Sequence, residues 1–335
     1  MSKITKEKIQ RRLHRELLNI LGITIYPSYW HYKFHKLPDK VDTSNFYFAA
    51  CPNPGAGIGH QMANWIAGYW YAKQFGLKFA HMGFSTNKWE QFLGLGEGEV
   101  TVSELKCKGW KVRKIPLFKE SQPETVQLVK QIMSSYSGKK VVFIAEQDQY
   151  YKDQYGVMED LKKKFYSALA RKNDHLIYSK EHLNIAIHVR RGDIMTDANN
   201  PNLVIRILSN DYFEKVLSLV HAHFSEFQNK PIHIYFFSQG KPKDYPEFAM
   251  YSNLHWCLDM NAQDSFLHMV YADVLITSKS GFSYAPALLN KGIKVCPINF
   301  WHGYPKTKDW IMVDNEGTIN VAELFETINT CFYHK

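Results

Sequence analysis

Cysteine is scarce in this sequence and never occurs in the spacing of a metal or redox motif. Five cysteines are present, an odd number, and no two of them form a Cys-x-x-Cys pair. Zinc ribbons and disulfide frameworks are therefore disfavoured, and we expect reduced, packed thiols. Asp-x-Asp, a common short motif for holding a divalent metal beside a nucleotide sugar, is also absent, which leaves only a dispersed carboxylate site open.

Two nucleotide-binding motifs are absent as well. The glycine-rich stretch that begins at Gly55 does not have the G-x-G-x-x-G spacing of the dinucleotide fingerprint. No Gly-Lys-Ser or Gly-Lys-Thr of a P-loop occurs anywhere in the chain. NAD-binding and ATP-binding folds of these two kinds are therefore disfavoured.

Long hydrophobic runs are missing too. None approaches the ~18 residues that are needed to cross a bilayer, and the nearest candidate, residues 17–25, is interrupted by Asn19 and Gly22. Glu7 and Glu16 break the basic start of the chain, and no small-residue cleavage site of a secretory signal follows. We therefore expect a cytoplasmic protein.

Length and composition are those of a soluble protein with two domains. At ~150 residues per domain, the 335 residues of the chain correspond to about two. Hydrophobic residues make up 45% and charged residues 22% of the chain, which excludes wholesale disorder. No internal repeat of solenoid or propeller length is visible.

Positive charge is concentrated at the start of the chain. Residues 1–40 hold nine Lys or Arg residues against three acidic residues, whereas the net charge of the whole chain is only +9. A helix over residues 4–21 places four apolar side chains on one stripe, Ile9, Leu13, Leu17 and Leu21. Peripheral contact with an anionic membrane surface and docking as a solvated helix on its own domain both fit this pattern. Nucleic acid is not expected as a partner, because no recognised nucleic-acid motif accompanies the charge.

From about residue 45 the sequence alternates between strands and helices, although residues 83–138 are less regular. The predicted strands are residues 46–50, 77–82, 141–145, 183–189, 232–237, 274–277 and 294–298. One predicted helix follows the glycine-rich turn at residues 52–59, and the others cover residues 156–172, 211–227, 264–272, 282–290 and 321–328. Such alternation implies parallel sheets covered on both faces.

The predicted fold is therefore α/β, with two Rossmann-like domains that face each other across a cleft. The expected division is a basic amphipathic N-terminal segment, residues 1–44, a first Rossmann-like domain on the acceptor side, residues 45–175, and a nucleotide-binding Rossmann-like domain, residues 176–335.

Three motifs each contain a turn that directly follows a predicted strand, where a parallel sheet presents its ligands. The first is Gly55-Ala56-Gly57-Ile58-Gly59-His60-Gln61. Glycines there let the backbone approach an anion, and the N–H groups of the helix start favour phosphate. The alternative is a tight turn without a ligand.

The second motif is His188-Val189-Arg190-Arg191-Gly192-Asp193, at the end of an apolar strand. Because the carboxyl ends of strands in an α/β sheet face the ligand crevice, two guanidinium groups are delivered there. Arginine binds phosphate bidentately and keeps its charge. An ion pair between one arginine and Asp193 is the structural alternative, and we expect one arginine to act on substrate and the other in structure.

The third motif runs from Asp264 to Tyr284 and contains the small-residue turn Ser278-Lys279-Ser280-Gly281-Phe282-Ser283. This turn again links a strand to a helix and offers N–H and hydroxyl donors. Asp264 stands at a helix start, where the default reading is an N-cap and the functional alternative is a carboxylate that accepts two N–H bonds from a guanine edge.

The order of these motifs over roughly residues 45–300 resembles the α-1,2/α-1,6 and protein O-fucosyltransferase superfamily, and it is most similar to the bacterial α-1,2-fucosyltransferases. The resemblance implies a GT-B-like, metal-independent, inverting enzyme that uses GDP-fucose and holds it mainly with the C-terminal domain. It also implies contacts of Arg190 with the β-phosphate and of His188 and Asp264 with guanine. The implied donors to the diphosphate are Gly57, Gly59, His60, Ser280, Gly281 and Phe282.

Glycosyl transfer is the chemistry that these residues suit. Negative charge builds on the departing diphosphate while the sugar becomes oxocarbenium-like, and a fixed guanidinium such as Arg190 neutralises that charge without a metal. Inversion needs a base near the acceptor hydroxyl, for which Asp193 and Asp197 are the candidates, with an arginine partner and a loop cap as their respective structural alternatives.

The expected partners are the nucleotide-sugar donor and an oligosaccharide or glycolipid acceptor. Two other functions stay open at this point. One is a transferase of the same fold that uses another nucleotide sugar, and the other is a non-catalytic nucleotide or glycan binder.

Overall fold

The computed structural model describes residues 3–53, 55–145, 151–195, 204–227 and 230–330. The chain divides into two compact units, unit 1 (Met1–Val157) and unit 2 (Met158–Lys335). The assignment of an acceptor role to residues 45–175 and of a donor role to residues 176–335 stays a prediction. Among the described residues, no helix combines the length and the apolar character that crossing a bilayer requires.

Unit 1 contains a four-stranded parallel sheet with the strand order β2-β1-β4-β3. Its strands are β1 (Phe46–Ala50), β2 (Lys78–Phe79), β3 (Lys111–Lys114) and β4 (Val141–Ala145). Its helices are α1 (Lys3–Leu21), α2 (Pro27–Phe34), α3 (Ile58–Gln74), α4 (Asn87–Leu93), α5 (Val102–Cys107) and α6 (Pro123–Ser134).

The two continuous apolar runs of unit 1, residues 46–50 and 141–145, form the central strands β1 and β4 as predicted. The strand predicted at residues 77–82 is only two residues long, which corrects that prediction. Sequence patterns also missed β3, because this edge strand reads Lys-Val-Arg-Lys and has no apolar run. The helix α5 was missed although its start carries a capping box between Thr101 and Glu104.

Unit 2 contains a six-stranded parallel sheet with the strand order β10-β9-β8-β5-β6-β7. Its strands are β5 (Leu183–His188), β6 (Ile232–Ser238), β7 (Leu254–Leu258), β8 (Val274–Ile276), β9 (Ile293–Pro297) and β10 (Trp310–Val313). Its helices are α7 (Met158–Ser167), α8 (Asn210–Phe227), α9 (Ala262–Tyr271), α10 (Gly281–Leu289) and α11 (Val321–Ile328).

The sheet of unit 2 is doubly wound. When the strands are numbered from β5, they follow the order 3-2-1-4-5-6 of a Rossmann sheet. Successive strands are added first on one side of β5 and then on the other, and the position between β5 and β8 is here called the switch point. The predicted α/β class with parallel sheets is therefore confirmed. The helix predicted at residues 156–172 is shorter than expected, because only α7 is α-helical and residues Leu169–Asn173 form a 3₁₀ turn.

Burial on both faces explains why the central strands of unit 2 were readable in the sequence. Every residue of β5 and β8 is buried, so each strand reads as an unbroken or nearly unbroken apolar run. The helix α8 covers this sheet with an apolar stripe whose members are all fully buried, Phe213, Val216, Leu217, Val220 and Phe224. The carboxyl ends of β5 and β8 are thereby held side by side.

Gly68 lets α3 pack directly against β1 in unit 1. A Cβ atom at this position would lie 2.6 Å from Ala50 Cβ and 2.8 Å from Ala50 N. We expect Gly68→Ala to lower the free energy of unfolding of unit 1 by about 1–3 kcal/mol, because the helix and the strand must move apart. Denaturant unfolding of the purified protein measures this loss.

Gly57→Ala is the matched control for that substitution. Among the residues that the structure describes, nothing lies within 4 Å of a Cβ atom at Gly57, which has a φ of −63°. No neighbour has to move, so the expected loss in unfolding free energy is only that of a poorer N-cap residue on α3, at most about 1 kcal/mol. Equal losses for the two variants would contradict the close contact between helix and strand.

Candidate functional site

The two strand ends that flank the switch point of unit 2 are joined by one serine. Ser278, which follows β8, donates its hydroxyl to the carbonyl oxygen of His188 at the end of β5. The same oxygen, Ser278 Oγ, accepts the backbone N–H of Arg190 at 3.0 Å. Ligands of doubly wound sheets bind outside the carboxyl ends of the strands at such a point, so the second and third sequence motifs meet where a ligand is expected.

Arg190 points to the start of α10. Its Nη1 donates to Ser280 Oγ at 3.0 Å. Ser280 is 0% exposed and is the N-cap of the helix, since its Oγ also accepts the N–H of Phe282 at 3.2 Å. A guanidinium is thus held at a helix N-terminus, and the helix dipole and the arginine both favour an anion at this place.

Arg191 is engaged inside the protein. Its Nη2 donates to Asn210 Oδ1 at 2.6 Å and its Nη1 to the carbonyl oxygen of Arg190 at 2.8 Å. Asn210 in turn donates to Glu247 Oε2 at 3.1 Å. Burial lowers the pKa of Arg191 from its usual value, but an arginine stays protonated at neutral pH. The geometry gives Arg191 internal partners on α8, whereas the predicted action of Arg190 on a substrate stays a prediction.

A cavity of about 380 Å³ opens at these strand ends. Its walls come from the carboxyl ends of β5, β6 and β7 and from the starts of α9 and α10, and they include His188, Arg190, Arg191, Gln239, Asp259, Ser265 and Phe282. Its volume falls within the range of small-molecule sites. Of the predicted site residues, the cavity brings together His188, Arg190 and Phe282, with Ser280 directly behind Arg190.

His188 contributes a buried, uncharged wall to this cavity. Its side chain is 8% exposed, and its ring centroid lies 5.6 Å from that of Phe282. Burial, followed by the charges of Arg190 and Arg191, lowers the pKa of His188 to about 3. At neutral pH the imidazole is therefore neutral, so it can exchange hydrogen bonds with a base edge but cannot attract phosphate as a cation.

Asp264 is not the N-cap of its helix, which corrects the default reading of the sequence. The cap is Asn261, whose Oδ1 accepts the N–H of Asp264 at 3.0 Å, and the Asp264 carboxylate accepts from the Asn261 amide in return. Asp264 is exposed in the first turn of α9. Its neighbour Ser265 lines the cavity, so the carboxylate lies next to the wall rather than in it.

The glycine-rich motif belongs to unit 1. Gly57 is the N-cap of α3, and Gly59 and the exposed His60 lie in its first turn. The buried Gln61 holds the loop, because its amide donates to Ala56 O and Ser85 Oγ, each at 2.8 Å. The three predicted phosphate contacts of this motif are thus in a different unit from His188, Arg190, Asp264, Ser280, Gly281 and Phe282.

The two candidate bases follow β5. Asp193 lies in the 3₁₀ turn Gly192–Met195, and its side chain is outside what the structure describes, as is the whole of Asp197. Gly192 has a φ of +72°, and a Cβ atom there would lie 1.7 Å from Gln239 Oε1. The turn that carries Asp193 therefore favours glycine for its backbone conformation, whereas the flexible end of the Gln239 side chain can move aside.

Sequence reasoning missed Asp259, which lines the same cavity. This residue follows β7 in a left-handed conformation, with φ +55°, and its N–H donates to Ser238 O at 3.0 Å. A non-glycine residue with positive φ at a ligand-facing strand end is a recognised mark of functional sites. The position of Asp259 at a strand end could not be seen in the sequence, because β7 was not recognised as a strand. This strand reads Leu-His-Trp-Cys-Leu and has only one buried residue.

Lys279 also departs from expectation. Although it belongs to the turn between β8 and α10, its Nζ donates to Asn315 Oδ1 at 3.3 Å and the residue does not line the cavity. Burial lowers the pKa of Lys279 from its usual value. Within the described ranges, no group of three His, Cys, Asp or Glu side chains is arranged to hold a metal ion.

Comparisons with known proteins give likeness of structure only. No protein-family model and no curated protein matches the sequence. POFUT1 in complex with GDP is similar at 12% identity and a TM-score of 0.46, covering 76% of this chain and 99% of that one. NodZ α-1,6-fucosyltransferase co-crystallized with GDP matches at 10% identity and a TM-score of 0.42, over 82% of this chain and 97% of that one.

A further structure, fucosyltransferase NodZ from Bradyrhizobium, is similar at 11% identity and a TM-score of 0.42 and covers 73% of this chain and 93% of that one. At these values the comparisons do not assign a function. The function of this chain is therefore inferred from the residues of its own site.

Proposed function

We propose that the protein is a glycosyltransferase whose donor is a nucleoside-diphosphate sugar bound in the switch-point cavity of unit 2. The observation that carries this proposal is the guanidinium of Arg190, held 3.0 Å from the N-cap oxygen of α10 at the carboxyl edge of a doubly wound sheet. This arrangement places a permanent cation and a helix N-terminus together, which suits a diphosphate.

The reaction proposed for this site is transfer of L-fucose from GDP-fucose to a glycan hydroxyl, of the α-1,2 type and with inversion. The support for this finer statement is the resemblance of the three sequence motifs to the fucosyltransferase superfamily. As the bond from sugar to phosphate breaks, negative charge moves onto the departing GDP, and the preorganised Arg190 stabilises that charge. No metal is required in this scheme, so a chelator such as EDTA should leave the rate unchanged.

The base of the donor fits the uncharged side of the cavity. His188 is neutral and buried, and Phe282 offers an aromatic face beside it. A guanine edge carries both hydrogen-bond donors and acceptors, which a neutral imidazole can meet. Asp264 in the first turn of α9 is the carboxylate that we assign to the donor edge of guanine.

The acceptor proposed for this enzyme is an oligosaccharide or glycolipid of a bacterial-type surface glycan. Asp193 and Asp197 stay the candidates for the base that deprotonates its hydroxyl, since both follow the strand that carries Arg190. The peripheral membrane contact predicted for residues 1–40 does not follow from this chemistry and depends on the N-terminal helices alone.

A panel of nucleotides tests the donor. We expect GDP to raise the free energy of unfolding by about 2.7 kcal/mol at a hundredfold excess over its Kd, with far smaller shifts for UDP, ADP, CMP and NAD. GMP is the control ligand for GDP, because the two nucleotides differ only in the β-phosphate that Arg190 is proposed to contact. Thermal unfolding of wild type and of Arg190→Ala measures both effects.

The expected pattern is that GDP stabilises the wild type more than GMP does at the same concentration, and that this preference becomes clearly smaller in Arg190→Ala. A selective response to UDP would overturn the fucosyl assignment and leave a different nucleotide-sugar transferase. An unchanged preference for GDP over GMP in Arg190→Ala would overturn the phosphate contact. Binding of GDP without transfer or hydrolysis of GDP-fucose would make the protein a binder rather than an enzyme.

A further inference from the structure

The helix α1 exposes its apolar stripe. Leu13 is 59% and Ile20 is 77% exposed, and Ile9, Leu17 and Leu21 are exposed as well. At 3.6 residues per turn these five side chains fall within about one third of the circumference of the helix. Unit 1 therefore leaves this stripe uncovered, and any docking of α1 on its own unit uses other side chains of the helix.

The following helix, α2, extends this apolar surface with aromatic rings. Phe34 is 78% exposed and stacks on the exposed Trp30 at 5.9 Å between ring centroids. Counted over the described side chains of the whole chain, nine of the nineteen exposed large hydrophobic side chains lie between Ile9 and Val41. Such concentration in a short segment is typical of an interaction surface rather than of scattered exposure.

The inner face of α2 is anchored to unit 1. Ser28 Oγ donates to Lys114 O at 2.6 Å, and Tyr32 donates to Gln131 Oε1 at 3.1 Å. The ring of His31 stacks on Tyr136 at 3.7 Å. The exposed aromatic face is therefore presented from a fixed position on the unit rather than from a loose tail.

Positive charge surrounds this apolar face. Arg12 is exposed on α1 next to the apolar stripe, and Arg15 is exposed on the opposite side of the helix. Lys33, Lys36 and Lys40 are exposed in α2 and in the segment that follows it. At the anchored face of α2, Lys139 Nζ lies 3.0 Å from His31 Nε2. Burial first, and then the charges of Lys139, His35 and Arg113, lower the pKa of His31 to about 4, so this imidazole is neutral at neutral pH and the cation at this face is Lys139.

We infer that α1 and the exposed face of α2, here called the N-terminal surface, dock the protein on an anionic lipid surface. Leucine and isoleucine side chains of α1, with Trp30 and Phe34, enter the boundary between headgroups and acyl chains. The surrounding lysines and arginines contact the anionic headgroups. This inference is independent of the proposed transferase function, since it uses no residue of the switch-point cavity.

Two other occupants explain the N-terminal surface less well. A nucleic acid would pair with the arginines and lysines through its phosphates, but it would gain nothing from exposed leucines and isoleucines. A second copy of the chain would cover the apolar stripe, but it would bring the same excess of positive charge against itself. An anionic membrane satisfies both the apolar and the charged part of the surface.

Vesicle co-sedimentation of the full chain, without donor or acceptor, tests this inference. We expect binding to vesicles of phosphatidylcholine and phosphatidylglycerol in equal parts, and little binding to pure phosphatidylcholine. The double variant Leu13→Gln/Leu17→Gln should weaken binding at least about tenfold, because two side chains lose their apolar burial. Arg12→Gln/Arg15→Gln should weaken it too, and the remaining binding should be less sensitive to salt.

Met250→Gln is the matched control, since Met250 is 73% exposed, more than Leu13 at 59% and Leu17 at 46%, but lies in unit 2. It should bind vesicles like the wild type, and all variants should keep the wild-type unfolding midpoint and nucleotide shifts. Equal binding to neutral and anionic vesicles, or unchanged binding of the leucine variant, would overturn the inference. So would a stable dimer that the leucine variant dissolves, or retention of DNA or RNA that only the arginine variant loses.

Discussion

Replacing Arg190 by alanine is expected to reduce sugar transfer at least about a hundredfold, the usual result of removing one preorganised donor from a site where charge develops. The Arg190 guanidinium donates to Ser280 Oγ at 3.0 Å and lines the switch-point cavity. The bond that joins β5 to Ser278 uses the backbone N–H of residue 190, so it survives the substitution. Initial rates with GDP-fucose measure the expected loss of transfer, and the thermal unfolding midpoint checks that the variant is still folded.

Arg190→Lys tests whether the fork of the guanidinium matters in addition to its charge. A lysine keeps one positive charge but has a compact ammonium on a flexible stem, so it cannot hold Ser280 and two phosphate oxygens at once. We expect it to restore only a small part of the lost rate. Full restoration would mean that a diffuse positive charge is sufficient.

Two matched arginine variants separate catalysis from folding. Arg191→Ala removes a guanidinium that is bound to Asn210 and to the carbonyl oxygen of Arg190, and it should lower the unfolding midpoint of unit 2. Arg12→Ala removes an exposed arginine of α1 and should change neither the midpoint nor transfer in the absence of membranes. If Arg190→Ala were folded and nearly as active as wild type, the proposed reaction centre would be wrong.

Replacing Asp309 by asparagine is expected to destabilise unit 2 by about 3–5 kcal/mol, because it leaves a buried ammonium without its counter-charge. Lys294 lies in β9, is 0% exposed, and is paired with the Asp309 carboxylate. Burial lowers the pKa of Lys294 and by itself would raise that of Asp309, but the hydrogen bond and charge of Lys294 make the net shift of Asp309 downward. The downward shift of its pKa keeps Asp309 ionised at neutral pH, and the charge of Asp309 in turn favours the ammonium form of Lys294 against its burial.

Lys294→Met is the control that shows whether the ion pair itself stabilises the fold or whether only its half-removal is destabilising. Methionine fills a similar volume without a charge, and Asp309 has enough exposure to be hydrated alone. We expect this variant to be nearly as stable as wild type or more stable. A loss as large as that of Asp309→Asn would show that the pair itself stabilises the fold, and denaturant unfolding of both variants decides the point.

The buried strands of both sheets could be predicted because a strand that is covered on both faces has an almost entirely apolar sequence. Leu183–His188, Val141–Ala145 and Val274–Ile276 are nearly continuous apolar runs, as strands covered on both faces must be. The edge strands β3 and β7 could not be predicted, since their exposed faces carry lysine, arginine or histidine. Asp259, which follows β7, was missed together with its strand.

The candidate site could be predicted only in part, because its contacts join residues that are far apart in the chain. Arg190 and Ser280 were recognisable as strand-end residues, but the sequence could not say that the one would donate to the other. Asp264 was misread as a cap because Asn261, three residues earlier, has the same capping ability. Which of the two arginines turns inward depends on Asn210 at the start of α8, a partner that no local pattern specifies.

The sequence alone determined the α/β class and the presence of cations at a ligand-facing strand end, because strand and helix periods and turn residues are local properties of the chain. The tertiary structure decided which strand ends meet. Arg190 and Ser278 are 88 residues apart in the chain and are hydrogen-bonded only because β5 and β8 are neighbours in the sheet. Strand order is set by packing between distant segments, so the cavity, the capped guanidinium and the neutral His188 exist only in the folded unit.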